Sequence, residues 1–350
     1  MGRGPLLERD RELAHLERAL ADACAGDGSL VVVEGPAGIG KTALLRTLAA
    51  LARAAGATVL SARGLPLERE VDHGVARQLY ERTLTQADPA RRAELLEGAA
   101  AGAAPALGLA SADGRPADGD PGDRVRHGLT WLALGLATGA PCVLVVDDLH
   151  WADVPSLRAL VHLAARLEGA PLLLTAGVRT GEPGADEELL GELRRLAAGA
   201  VLVPAPLGAS AVRALARDAL GPDLPDAVAV ACGDAVGGNP FLVTELIGAL
   251  VAEGGPAAEL KPAVALDMSP DAVRRAILLR LGRLGATPTA VARAVAVLGD
   301  GAELADVAGL ADIGLAEAAT AADRLVAATI LEGARPLRFL HPLVRAAVED

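Results

Sequence analysis

Residues 35–42 read GPAGIGKT, with one lysine and one threonine at the end of a glycine-rich stretch. The spacing G-x-x-x-x-G-K-T matters because glycines let successive backbone N–H groups turn inward on an anion, while a helix starting near the lysine adds its positive end. In such a loop Gly35, Pro36, Ala37, Gly38, Ile39, Gly40 and Ala43 supply the backbone cradle. Lys41 reaches the outer phosphates of a nucleotide and Thr42 offers its hydroxyl to Mg²⁺. Lysine occurs elsewhere only at Lys261, so arginine does nearly every other basic job in the chain.

A second cluster lies in VLVVDDLHWAD, residues 143–153. An apolar strand delivers Asp147 to its C-terminal end, where α/β sheets bind ligands. Asp147 is expected to hold Mg²⁺, directly or through water, opposite Thr42, and Asp148 stands where a water-activating carboxylate is expected. Arg179 closes the strand-like run LLLTAGVR and is a candidate sensor of the terminal phosphate at the same sheet edge. By themselves, two acids or one arginine at a strand end are also what a solvated loop contains. Their pairing with the glycine-rich loop about a hundred residues upstream tips the reading toward a nucleotide site.

The elements that must position these groups follow from the apolar pattern. Runs at 29–35, 58–64, 142–148, 171–179 and 200–207 are β-branched or continuously apolar, and Ala/Leu/Arg helical patterns separate them, so a parallel sheet covered by helices is expected. Residues 111–123 are rich in Gly, Pro and Asp and read as a surface loop. After residue 207 the pattern turns helical. A P-loop core over 1–207, a small helical lid over 208–268 and a winged-helix-like module over 269–350, with a hairpin in ATILEGARPLRFLH, complete the expected α/β fold.

Composition bounds the function. The 350 residues are 52% apolar, enough for a sizeable core, yet contain only two Trp, two Phe and one Tyr, so Ala, Val and Leu must fill it. A net charge of −12 without a cation cluster argues against a nucleic-acid or membrane-surface face on this chain. Cys24, Cys142 and Cys232 are widely spaced, fit no zinc pattern and read as buried small hydrophobes in a reducing cytosol. The start MGRGPLLERDREL lacks an apolar signal region and the myristoylation Ser or Thr. The uncharged run 128–146 has the length of a membrane span, but the turn signal TGAP inside it favours a helix, a turn and a buried strand. Cytoplasmic localisation is the expectation.

Taken in order, LLERDREL (6–13), GPAGIGKT (35–42), HGVARQLYE (73–81), VLVVDDLHWADVPSLRAL (143–160), LLLTAGVR (172–179), GNPFLVTEL (238–246) and FLHPLVRAAV (339–348) resemble the ATPase region of large LuxR-type transcriptional regulators. These belong to the signal-transduction ATPases with numerous domains, a branch of the AAA-like P-loop proteins. The resemblance implies that Arg9 and its neighbours flank the adenine, that Pro240 packs on the base from the lid, and that His341 approaches the β-phosphate of ADP from the winged helix. Such regulators continue to a DNA-binding helix-turn-helix, so any DNA binding is expected through a C-terminal domain beyond Asp350.

Two classes of function fit. One is a switch in which ADP holds lid and winged helix on the core and ATP permits self-association. The other is a turnover ATPase, motor or phosphotransferase, on the same loop. Asp148 favours the switch, because Asp is one methylene shorter than Glu and holds attacking water less closely. A scaffold that has lost binding is the third reading, opposed by the intact Lys41, Thr42 and Asp147.

Overall fold

The computed structural model describes residues 6–109, 120–180, 182, 185–253, 257–262, 277–278, 281–282, 284–299, 301–328, 330–332, 336–339 and 342–349. Chain contacts divide the protein into two compact units. One comprises Arg9–Pro36 and Lys41–Pro204; the other comprises Met1–Glu8, Ala37–Gly40 and Ala205–Asp350.

The first unit is built on five parallel strands in the order β2-β3-β4-β1-β5. They are β1 Ser29–Gly35, β2 Thr58–Arg63, β3 Cys142–Asp147, β4 Leu172–Arg179 and β5 Val201–Leu202. The helices between them are α1 Asp10–Cys24, α2 Lys41–Ala54, α3 Gly74–Gln86, α4 Pro89–Leu95, α5 Pro121–Ala137, α6 Val154–Ala164 and α7 Glu187–Leu196. Successive strand side chains point to opposite faces, and the apolar runs use both. Leu60, Ala62, Leu144, Val146, Leu174 and Ala176 join the core made with α3, α5, α6 and α7. The alternate set, including Val31, Val33, Val143 and Leu173, is equally buried on the face that α1 and α2 cover.

Three expectations need adjustment. The fifth strand is limited to Val201–Leu202, pairing only with Val32–Val33. Pro204 and Pro206 follow it and bring no N–H to a ladder. Residues 121–123 begin α5, where Asp120 accepts the Gly122 N–H as a helix cap, and the rest of the expected loop through 119 lies outside the described residues. Cys24 is exposed at the end of α1, whereas Cys142 and Cys232 are buried as expected. The run 128–146 does split into the end of α5, a turn and β3, and no described helix is long and apolar enough to cross a membrane.

The second unit is helical. It contains α8 Ala209–Leu220, α9 Asp226–Ala235, α10 Pro240–Glu253, α11 Ala286–Leu298, α12 Leu304–Leu310, α13 Leu315–Ala327 and α14 Pro342–Glu349. Val243, Leu246, Val291, Val295, Leu325 and Phe339 sit in its core. The antiparallel bridge Leu331↔Phe339 falls where a hairpin is expected, and a second bridge pairs Leu337 with Ala302, outside that run.

One buried side chain ties two helix starts together beside the edge of the sheet. Asp153 caps α6 by accepting from Ser156 N at 2.8 Å, and the same carboxylate accepts from His73 N at 2.8 Å and Val75 N at 3.2 Å at the start of α3. Asp153 is 2% exposed, so water cannot replace these contacts. Replacing it strands three backbone donors at once. Asp153→Ala is expected to cost about 3 kcal/mol or more and to lower Tm by on the order of 10 °C, with Asp153→Asn losing less. Differential scanning fluorimetry checks this, and an unchanged Tm would refute it.

Candidate functional site

The period of two along each strand decides which residues reach the site. Gly35, Arg63, Asp147 and Arg179 each end a strand of one parallel sheet, with Gly35 in register with Arg179 and Arg63 in register with Asp147. By alternation Asp147 follows Val143 and Val145 onto the face covered by α2, whose first turn carries Lys41, Thr42 and Ala43. The Thr42 hydroxyl donates to Asp147 Oδ2 at 2.7 Å. Across the sheet from Asp147 stands Gly177, where an added Cβ would lie 2.8 Å from Asp147 Oδ1 and 3.0 Å from a Leu45 methyl. Glycine there lets the carboxylate approach the neighbouring backbone, and a side chain would push Asp147 and Leu45 from their present positions.

Lys41 is 6% exposed and donates its ammonium to the carbonyls of Gly35 at 2.8 Å and Pro36 at 2.9 Å. Burial lowers its pKa, with the Arg179 charge acting in the same direction and Asp148, Asp147 and Glu182 opposing. Ala37–Gly40 belong by their contacts to the second unit. There Asn239 Nδ2 donates to Ala37 O at 2.8 Å, and Phe241 N donates to Gly38 O at 3.3 Å. Gly38 has φ +81°, a conformation that favours glycine, and an added Cβ would meet Asn239 Oδ1 at 2.5 Å. Pro240 opens α10 immediately after this asparagine.

Asp147 and Asp148 are consecutive carboxylates. Burial and then the charge of Asp148 push the Asp147 pKa up, against hydrogen bonds from Thr42 and the Asp148 N–H. Burial would raise Asp148 too, but the Arg63 guanidinium, helped by His150 and Arg179, outweighs it and holds this carboxyl below the usual range. The geometry explains the difference. Asp148 sits at φ +47°, and this turn brings its Oδ2 within 2.9 Å of Arg63 Nε and 2.7 Å of Arg63 Nη2. A non-glycine residue in this region carries strain of about 1 kcal/mol or more, offset here by a charge-assisted double hydrogen bond. Gly64 makes room for the turn, since a Cβ there would fall 2.3 Å from the Asp148 carbonyl.

Next along the chain, His150 is 1% exposed. Its Nδ1 accepts the backbone N–H of Arg179 at 3.2 Å, and its Nε2 lies 3.9 Å from Asp148 Oδ1 without a hydrogen-bond partner among the described residues. Burial first, with the cations Arg179, Lys41 and Arg63, pushes its pKa down to about 4 against the pull of Asp148. The Arg179 side chain pairs with Glu182 at 2.8 Å.

The structure therefore brings together Lys41, Thr42, Asp147, Asp148 and Arg179 in one unit. Arg9 belongs to the same unit, buried at the start of α1. Pro240 falls in the other unit, and His341 lies outside the described residues. Sequence reading overlooked Arg63, His150, Glu182 and Asn239. Alternation within TVLSAR places Arg63 on the α2 face, and an Asn-Pro step before an apolar helix marks Asn239 as a cap, a role it fills by accepting from Phe241 N and Leu242 N. The site's donors to a cation are hard oxygens, the Thr42 hydroxyl and the raised-pKa Asp147 carboxylate, a set that suits Mg²⁺.

Comparison with known proteins agrees with this geometry. Residues 5–175 match the family described as AAA ATPase domain. A signal-transduction ATPase with numerous domains (STAND) protein with a tetratricopeptide repeat sensor, from Pyrococcus horikoshii, shares the fold with TM-score 0.54 at 17% identity, over 95% of this chain and 42% of that one. The ORC1 protein of Aeropyrum pernix, solved in complex with DNA, aligns over 99% of this chain and 93% of that one at 17% identity with TM-score 0.45. An uncharacterised protein of Rhizobium meliloti (strain 1021) is 28% identical over 375 residues, 99% of this chain, and the chain spans about a third of that relative, 35% of its length. The match and the phosphate-loop geometry agree: residues 5–175 match the AAA ATPase domain family, and the sheet that carries the glycine-rich loop has a P-loop fold.

Proposed function

We propose that this chain is an ATP/ADP-binding module that acts as a nucleotide-dependent switch in a signal-transduction ATPase of the transcription-regulator kind, with slow Mg²⁺-dependent hydrolysis. The observation that carries this reading is the arrangement at the end of β3. Asp147 is hydrogen-bonded to Thr42 as a metal-facing carboxylate should be, while Asp148, the candidate water activator, has one oxygen committed to both N–H groups of Arg63. A carboxylate held in an ion pair at depressed pKa is a weak base, which suits a site that retains nucleotide longer than it turns it over. Lys41, parked on two carbonyls of its own loop, supplies the charge for the outer phosphates. When bound, Mg²⁺ would supply charge neutralisation between the phosphates, and Thr42 and Asp147 would hold it.

In this reading residues 208–268 serve as lid and 269–350 as winged helix, Arg9 and Pro240 flank the base, and His341 meets the β-phosphate of ADP. Self-association accompanies the ATP state, any DNA contact belongs to a further domain, and the protein works in the cytoplasm. Bound ADP in the purified protein with ATP turnover well below one per second would support the switch. Brisk turnover without retained nucleotide would favour the alternative, a motor or phosphotransferase.

Three substitutions test the assignments. Lys41→Ala is expected to lower ATP affinity by about 100-fold or more, because solvent cannot replace a buried ammonium at the phosphates. Calorimetric titration checks it, and unchanged affinity removes the reading. Asp147→Asn is expected to weaken binding about tenfold with Mg²⁺ and little in EDTA. Equal losses in both buffers would place Asp147 away from the metal. His341→Ala is expected to speed ADP release about tenfold with a smaller effect on ATP, since a contact made in one state only shifts the balance between states. A lowered nucleotide-free Tm with an unaltered release rate would make His341 a packing residue instead.

A further inference from the structure

Among the described residues, His150 is a buried polar side chain beside the two carboxylates that the proposed function leaves without a task. Its tautomer is set by geometry. A backbone N–H can only donate, so Nδ1, which faces Arg179 N at 3.2 Å, must carry the lone pair. In the neutral ring the proton is then on Nε2, and the surrounding Lys41, Arg63 and Arg179 charges together with burial keep the ring neutral at pH 7. Nε2–H is thus a hydrogen-bond donor, fully buried and without a partner among the described residues.

One carboxylate oxygen lies near that donor. Both Arg63 N–H groups go to Oδ2 of Asp148, which leaves Oδ1 as the oxygen nearest to His150, at 3.9 Å. This distance is too long for a direct hydrogen bond but suits one bridging water, since two legs of about 2.8 Å span it with an angle near 90° at the water oxygen. A donor on one side and a carboxylate on the other fix such a water in position and in orientation.

We propose that His150 and Asp148 together seat the water that attacks the terminal phosphate of ATP, making His150 a catalytic residue; this rests on the nucleotide-binding reading above. The water oxygen accepts from His150 Nε2–H and donates one proton to Asp148 Oδ1. Its second lone pair forms the new bond to the terminal phosphorus as the bond from that phosphorus to the bridging oxygen breaks, and that electron pair leaves with ADP. The proton taken by Asp148 passes to the released phosphate or to solvent, and His150 ends the cycle neutral. Because both N–H groups of Arg63 hold the other oxygen of Asp148, Oδ1 stays in place as the acceptor for the water.

Two substitutions separate this role from simple packing. Asn places its side-chain oxygen near the position of Nδ1 and keeps the contact with Arg179 while losing the Nε2 donor. Gln places an amide N–H near the position of Nε2 and loses the Arg179 contact. For the full chain, His150→Asn is expected to lower kcat for ATP at least tenfold with the affinity for a non-hydrolysable ATP analogue changed less than threefold. His150→Gln is expected to retain several-fold more turnover than His150→Asn despite a lower Tm. Wild-type turnover in His150→Asn, or turnover losses in both variants that only follow losses of affinity and Tm, would overturn the proposal. A wild-type chain that binds ATP without hydrolysing it would overturn this inference and leave the binding reading standing, whereas one that binds no nucleotide would remove both.

Discussion

Asp147, partly buried, and Asp148, buried, are neighbours in the chain at the end of a strand buried on both faces. Two adjacent carboxylates cannot both stay ionised in such a place unless something else supplies the stabilisation that water would have given. The surrounding site does so, and unequally. Asp147 receives hydrogen bonds from Thr42 and the Asp148 N–H and a weaker pull from Arg63, which do not offset burial and the Asp148 charge, so its affinity for a proton is raised. Asp148 receives a guanidinium and stays a carboxylate. One environment thus gives two neighbouring carboxylates opposite proton affinities.

The parallel sheet makes this division possible. All five strands point their C-terminal ends to one edge, so Gly35, Arg63, Asp147 and Arg179, far apart in sequence, finish side by side. Small residues open the space. Gly177 allows the Asp147 carboxylate to lie against β4, and Gly64 allows the backbone to turn at Asp148. Asp153 then anchors the segment that follows, binding the starts of α3 and α6 with one carboxylate. Arg63 and His150 are held between a strand end on one side and this anchored turn on the other.

The cations of the site are all occupied by internal partners. Lys41 rests on the carbonyls of Gly35 and Pro36, Arg63 on Asp148, and Arg179 on Glu182. Any anion that recruits these cations competes with neutral carbonyls for Lys41 but with a carboxylate for Arg179. The first exchange is the easier one, because replacing a carbonyl by an anion strengthens the hydrogen bond, whereas drawing Arg179 away leaves Glu182 to be resolvated. Lys41 and Arg179 therefore differ in how easily an anion draws them from their present partners.

Much of this was legible from the chain alone. The motif GPAGIGKT, the strands carrying DD and GVR, and the alternation of apolar strands with helices depend on local spacing, and local spacing is what a sequence records directly. They determined the P-loop fold and four of the strands to within a residue, and they singled out Lys41, Thr42 and Asp147 as candidates. The short fifth strand was over-read because an apolar run does not show where its ladder partner ends. What tertiary structure alone decided is the company each group keeps. Arg63 meets Asp148 from 85 residues away, His150 takes its tautomer from a backbone N–H 29 residues later, and Asn239 reaches Ala37 across 202 residues. Such pairings are set by strand order and register, which long-range closure of the sheet fixes and no local pattern encodes. The chemical character of Asp148, paired base or open carboxylate, is decided at that level, since a pKa is a property of surroundings and not of a residue type.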